Sequence, residues 1–295
     1  MTSATPTISQ ANLCALAKLV TNAGLQRIMF DEGFTKKVGQ MKSLLKKTGV
    51  ELKTKTSLAD AITISYEHLL KNYRHEYLYK VALLNSYVLQ NYSLADTLLL
   101  NEFKIGNSKA DTILVNGTNK VFEIKTELDS PDRLATQIAD YYKGFTEVYI
   151  VVHHSLLKKY IPLVPERVGI MVFTSNHQIL THRSAEVFYG ALEVSAMMKA
   201  LRKEEYLEMV RKLWGTVPPA TPVQLFKKCL SVLEELPVEK VHIEFLKIVK
   251  QRINPVTVEL VLDHTIPPAL RLSCYNYNLS RNDYLGLVNR LNHKI

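Results

Sequence analysis

Between Leu98 and Phe173 the chain alternates apolar ribbons with turn signals in an order that few folds can accommodate. Leu98 to Lys104 reads as a strand, and Ile105 to Lys109 reads as its connection, where Gly106 and Asn107 tolerate unusual backbone angles. Asp111 opens a second ribbon, Thr112-Ile113-Leu114-Val115. Asn116-Gly117 is a tight-turn signal of the kind that joins antiparallel strands, and Lys120 to Lys125 follows as a third ribbon. Ser130-Pro131 predicts a helix start, with the helix running from Pro131 to about Lys143. Leu134, Ile138 and Tyr141 recur at helical spacing and give it one apolar face. Val148 to Val152 and Val168 to Phe173 are continuous apolar runs, as in strands buried on both sides. The expected class is α/β, a mixed sheet flanked by helices.

The hairpin also carries charge where a sheet ordinarily does not. Side chains alternate along a strand, so Glu123 and Lys125 share a face, and the hairpin can bring Asp111 toward them. Two carboxylates and an ammonium on one face are costly to desolvate unless something pairs with them. A divalent cation, Mg²⁺ or Mn²⁺, would satisfy the carboxylates, and Lys125 could then orient a water or steady negative charge. An edge strand carrying charge against aggregation gives the same pattern.

Taken together, Ala110-Asp111, Glu123-Ile124-Lys125 and Gln137-Ile138-Ala139-Asp140-Tyr141 resemble the PD-(D/E)xK nuclease superfamily with its restriction-endonuclease-like fold. The last segment looks like the Q-x-x-x-Y element of RecB-like nuclease domains. From Tyr73-Arg74-His75-Glu76-Tyr77 to Val152 the text is similar to a little-characterised bacterial family of that superfamily, associated with phage defence and mobile elements. The resemblance implies that Asp111, Glu123 and the Ile124 carbonyl bind the metal and that Lys125 is the catalytic lysine. Gln137, Tyr141 and Lys109 would support the site or contact substrate. Many relatives add a glutamate from the preceding helix. Glu76 is the candidate, on a helix predicted from Tyr73 to Leu89, and Glu102 is a second. A surface pair with Lys80, four residues on, explains Glu76 equally well. Gln137 and Tyr141 likewise admit a plain packing role. The superfamily's proline is absent, since Ala110 precedes Asp111.

Charge is distributed unevenly along the 295 residues. The net charge is +9, from 37 basic and 28 acidic side chains. The expected organisation is a helical basic N-terminal region (1–72), a nuclease-like core (73–189) and a helical C-terminal region (190–295). The core is balanced, with 12 basic and 12 acidic residues, whereas the flanks carry 10 against five and 15 against 11. Such flanks suit a polyanion partner, and ordinary solvated helices explain them as well. Leu13, Leu16, Ala17 and Val20 share a helical face. The basic run Lys36 to Lys47 is broken at Thr48-Gly49-Val50, and Ser57 is placed to cap the helix that follows. Gly215 to Pro222 breaks the C-terminal region, helical patterns resume over Val223 to Leu236 and Val238 to Ile253, and Pro255 is read as the stop. Tyr275, Tyr277 and Tyr284 lie near Arg271, Arg281 and Arg290, an interleaving that suits stacked bases or, as favoured here, packing of the last helices.

The expected function is a metal-dependent phosphodiesterase acting on nucleic acid, DNA ahead of RNA, in an anti-phage setting. The alternative is a nucleic-acid-binding or partner-triggered regulatory protein on a nuclease-like scaffold, working with a partner protein or as a homodimer. Cys14, Cys229 and Cys274 are far apart and form no zinc pattern, which suits reduced thiols and a cytoplasmic setting. His153-His154 are adjacent and point apart, so a shared metal is not expected. No stretch approaches the roughly 20 apolar residues that span a bilayer. Met1 to Gln10 lacks the basic start and apolar centre of a leader. No G-x-x-x-x-G-K-[ST] loop is present, so coupling to ATP would need another chain.

Overall fold

The computed structural model describes residues 8–31 and 33–295; the first seven residues, on which much of the leader reading rests, lie outside them. The chain divides into two compact units, 1–88 with 254–295, and 89–253. The three sequence segments therefore group differently from their expected boundaries. Residues 73–88 and 254–295 belong with the N-terminal helices, and 190–253 belong with the sheet.

The first unit is helical. Its N-terminal part comprises α1 (Gln10–Leu19), α2 (Asn22–Phe30), α3 (Phe34–Lys47), α4 (Leu58–Asn72) and α5 (Glu76–Ala82). Leu13, Leu16, Ala17 and Val20 are buried together, as their spacing requires. α3 stops where Gly49 takes a φ of 86°, a left-handed position that favours glycine. Ser57 and Asp60 close α4 with a capping box. The helix expected from Tyr73 begins only at Glu76, because Tyr73 leaves helical angles (φ −158°) at the end of α4. Beyond Ala82 the backbone widens into a π-helical turn over Leu83–Val88. There the Asn85 and Ser86 side chains donate to the carbonyls of Val81 and Ala82, four residues back, and compete with the helix's own ladder.

Returning at the C-terminus, α13 (Pro255–Val261), α14 (Pro268–Tyr277) and α15 (Arg281–Leu291) complete this unit. Pro255 opens α13 under an Asn254 cap instead of ending the previous helix. Tyr277 is exposed yet stacks on Phe30 at 3.9 Å between ring centroids, Tyr275 and Tyr284 are half-buried, and Arg290 lies over Phe34.

The second unit holds the sheet. Six strands run in the order β1 (Leu98–Ile105), β2 (Ser108–Val115), β3 (Asn119–Lys125), β4 (Glu147–His153), β5 (Gly169–Phe173) and β6 (Ile179–Arg183). β1–β2, β2–β3 and β5–β6 are antiparallel, and the two central pairings, β3–β4 and β4–β5, are parallel. The sheet is thus mixed and flanked by helices, with helical regions on either side in sequence, as the patterns predict. β4 is buried along its whole length, which accounts for its uninterrupted apolar run. The unit's helices are α6 (Leu89–Asn91), α7 (Leu134–Tyr141), α8 (Leu157–Tyr160), α9 (Val194–Ala200), α10 (Lys203–Trp214), α11 (Pro222–Glu234) and α12 (Val238–Lys250). Leu134, Ile138 and Tyr141 of α7 join Val121, Val148, Ile150 and Ile170 of the sheet in one core, which α9 to α12 extend.

α7 is shorter than the spacing suggests. Ser130 accepts the Asp132 N–H and Pro131 accepts the Leu134 N–H at 2.9 Å, so these residues form a turn and helical bonding starts at Leu134. Asp129 belongs to the same turn, where it accepts the Thr126 amide and hydroxyl.

Candidate active site

β2 and β3 part where their charged residues sit. Their backbone pairing ends at Thr112–Phe122. One step further on, Asp111 Oδ2 accepts the Ile124 N–H at 2.7 Å, so a side chain takes the place of a ladder carbonyl. The ladder between β1 and β2 is interrupted at the same level. Asn101–Thr112 and Phe103–Ala110 are paired in one register, which sets Glu102 across from Asp111. Glu102 has a φ of 60°, a left-handed conformation in which a glutamate is strained. In this unit Glu102 and Asp111 each offer a carboxylate oxygen within 4.8 Å of the other. The partly exposed Glu102 carboxylate also forms an ion pair with Lys109.

Glu123 and Lys125 lie on the α7 side of β3, as alternation requires, and both are buried. Lys125 Nζ donates to Glu123 Oε1 at 2.8 Å and to Gln137 Oε1 at 2.9 Å. Gln137 Nε2 donates to Glu123 Oε1 at 2.6 Å. The Tyr141 hydroxyl donates to Glu123 Oε2, and lies 3.2 Å from the Lys109 carbonyl. The four residues expected to cooperate (Glu123, Lys125, Gln137 and Tyr141) therefore form one network. Burial, and next to it the Glu123 charge, push the Tyr141 hydroxyl far above the ordinary tyrosine range, so it stays a donor.

Both Glu123 oxygens are engaged, by Lys125, Gln137 and Tyr141, and Glu102, the further acid that the sequence offers, stands beside Asp111. Of the Ile124 backbone, the N–H is committed to Asp111. Glu76 lies in the first unit, in the first turn of α5, where it forms an ion pair with Lys80. His153 and His154 do not point apart as their adjacency suggests: the strand ends at His153, and the two ring centroids lie 4.1 Å from each other, with His153 Nδ1 bound to Ser155 Oγ at 2.8 Å.

Asp140 has a role that local patterns do not reveal. The tight turn between β1 and β2 has Gly106 at φ 58°, and a Cβ there would meet Asp140 Oδ1 at 2.5 Å. Asp140 Oδ2 accepts the Asn107 N–H at 3.2 Å and the Ser108 hydroxyl at 2.7 Å, and Lys143 reaches Oδ1 at 2.8 Å. Burial works to raise the Asp140 carboxyl, but the Lys143 ammonium and these two donors outweigh it and hold the group below the ordinary carboxylate range. The helix carrying Gln137 and Tyr141 is thereby tied to the turn that leads into Asp111. A buried acid next to the Gln and Tyr of its own helix was the available signal.

A donor set of carboxylate oxygens on Asp111 and Glu102, beside the buried Glu123, suits a hard divalent cation such as Mg²⁺ or Mn²⁺ and not a soft metal. Fold and cluster together define an α/β protein whose sheet carries an acidic centre backed by a Lys–Gln–Tyr network. Residues 69–266, which include all these groups, match the family of bacteriophage P4 protein cII, and the chain belongs to that family. It is similar to protein cII of Enterobacteria phage P4, with 27% identity over 147 residues, 48% of this chain and 53% of that protein. The match therefore spans about half the length of that relative. Among solved structures it is similar to the SPO1766 protein of unknown function from Silicibacter pomeroyi, with 13% identity and a TM-score of 0.27, over 32% of this chain and 63% of that one. Among the described residues, no helix is long and apolar enough to cross a membrane.

Proposed function

We propose that the chain is a metal-dependent nuclease that hydrolyses phosphodiester bonds, with DNA as the first substrate to test. The observation that carries this reading is the coincidence, at one level of the sheet, of Asp111, Glu102 and the buried Glu123–Lys125–Gln137–Tyr141 network. The resemblance of the same residues to the PD-(D/E)xK superfamily supports it. Asp111 and Glu102 would hold the cation, with Glu123 behind them. When bound, Mg²⁺ or Mn²⁺ supplies Lewis acidity at the scissile phosphate and lowers the pKa of an attacking water. The chain's own residues would do the rest. Lys125, held by Glu123 and Gln137, would present an ammonium to the charge that develops on the phosphate oxygens. Tyr141 would keep Glu123 oriented. Asp111, anchored on the Ile124 amide, would keep its position whether or not a cation is present.

The phage origin of the family's namesake agrees with a role on phage or mobile-element nucleic acid, in defence or in the element's own cycle. A second reading has its own observation. Both Glu123 oxygens already have donors, so the network is self-sufficient as a buried ion pair, and the protein would then bind nucleic acid without cutting it.

The deciding experiment is cleavage of mixed single- and double-stranded DNA and RNA in Mg²⁺, Mn²⁺ or EDTA, beside Asp111→Ala and Lys125→Ala. The nuclease reading expects metal-dependent cutting that falls at least about a hundredfold in both variants. Cutting that persists in Lys125→Ala would refute the assigned site. Salt-sensitive binding without cutting in any condition would favour the binding protein.

A further inference from the structure

We propose that the outward face of α3, in the first unit, grips the phosphodiester backbone of nucleic acid. The inference takes the polymer from the nuclease reading but rests on separate residues. The first unit carries 16 basic against nine acidic residues, so most of the chain's +9 lies in it. Within α3 the apolar residues Val38, Met41 and Leu45 are buried, and the sequence from Phe34 to Lys47 contains no acidic residue. Lys36, Lys42, Lys46 and Lys47 are exposed on the rest of the helix. From Lys36 to Lys47 is 12 residues, or about 17 Å of helix axis between the first and the last, a length over which one strand of a duplex presents roughly five phosphates.

Shape supports the charge. A groove of about 450 Å³ runs between α1 and α3, where Lys18, Gln40, Ser43 and Lys47 stand around the apolar Ala15, Leu19 and Leu44. A Cβ at Gly39 would meet nothing within 4 Å, so a polymer backbone can come close to the helix there. A neighbouring depression is lined by Lys42, Ser43 and Lys46, with Glu51 as the one carboxylate on its rim. A lipid surface is a poorer fit, because membrane-lying helices insert an apolar face, and the apolar face of α3 is already in the core. Compact lysine charges suit sequence-independent phosphate contacts, whereas planar carboxylates are better met by the arginine fork.

The test measures binding of the full chain to fluorescein-labelled 20-mer duplex and single-stranded DNA in EDTA, across 50–300 mM salt. The wild type is compared with K36Q/K42Q/K46Q/K47Q. A control, K158Q/K203Q/K227Q/K228Q, loses the same charge from exposed positions of the second unit. Glutamine keeps helix propensity, so both variants should fold, and circular dichroism checks this. The expected result is a fall in affinity of roughly 10- to 100-fold at 100 mM salt and a salt slope lower by about two to four for the α3 variant only. Equal loss in the control, an unchanged slope in the α3 variant, or no salt-dependent affinity in the wild type would each overturn the proposal. Because EDTA abolishes metal-dependent cutting, failure of the nuclease reading leaves this measurement intact.

Discussion

Tyr141 donates its hydroxyl proton to Glu123, and neither side chain has meaningful access to water: Tyr141 is 0% exposed and Glu123 2%. An anion this deep depends on its donors. Tyr141→Phe keeps the ring packing and removes one donor from the carboxylate. The expected cost is about 1–3 kcal/mol of unfolding free energy, read as a lower urea midpoint with an unchanged slope. A neutral result would mean that water takes the place of the hydroxyl.

Under the nuclease reading, Glu102 sets stability against cation binding. Its left-handed backbone is strained as glutamate and relaxed as glycine, and its ion pair with Lys109 is partly exposed, so that pair adds little. Glu102→Gly should leave stability unchanged or raise it by up to about 1 kcal/mol, while weakening Mn²⁺ binding in calorimetry by at least about tenfold. Unchanged Mn²⁺ affinity would remove Glu102 from the cation site.

Gly106 is fixed by conformation and by contact. Alanine there would be strained at φ 58° and would press on the Asp140 carboxylate, which is itself held by three donors. Gly106→Ala should cost about 2 kcal/mol or more, and Asp140→Asn should cost part of the same amount through loss of the Lys143 ion pair. Thermal melts of the two single variants and the double variant would show strong non-additivity.

Acid sensitivity has an identifiable source in His242. Burial lowers its pKa to about 4, only partly opposed by a bond to the Gly144 carbonyl, and Nε2 has no partner among the described residues. Above about pH 6.5 the ring is neutral in folded and unfolded chains alike. As pH falls below that, the unfolded chain takes up a proton first, so stability drops until the folded ring also protonates near pH 4. The loss over that window is about 3 kcal/mol. His242→Phe should lessen the fall of urea midpoints between pH 6.5 and 4, the remainder coming from His75, which burial also lowers to about 4, and a wild-type slope in that variant would assign the acid limb elsewhere.

Much of this was legible because it is local. The uninterrupted run Val148 to Val152 reads as a strand covered on both sides, and alternation alone put Glu123 and Lys125 on one face. What escaped is held by distant partners. Asp140 acts on a turn 33 residues earlier, and no period in the sequence encodes that. The start of α7 was misplaced because Asp129 captures Thr126 and Ser130 captures Asp132, making a turn where Ser130-Pro131 reads as a cap. Glu102, which the sequence offers as a further acid, sits across from Asp111 in a backbone conformation that glutamate's own preferences disfavour, so strand alternation alone does not rank it.

The Gly106-Asn107 turn would ordinarily attract an epitope tag or a fluorophore, being short, polar and outside the strands. Here it is bolted through Asp140 to the helix that supports Glu123, so an insertion at that point would be felt at the acidic centre. The loop Asn116 to Thr118, at the other end of β2, has no such tether. Its glycine also has φ above zero, but a Cβ there would meet nothing within 4 Å. That loop is where a probe can be attached without disturbing the acidic centre.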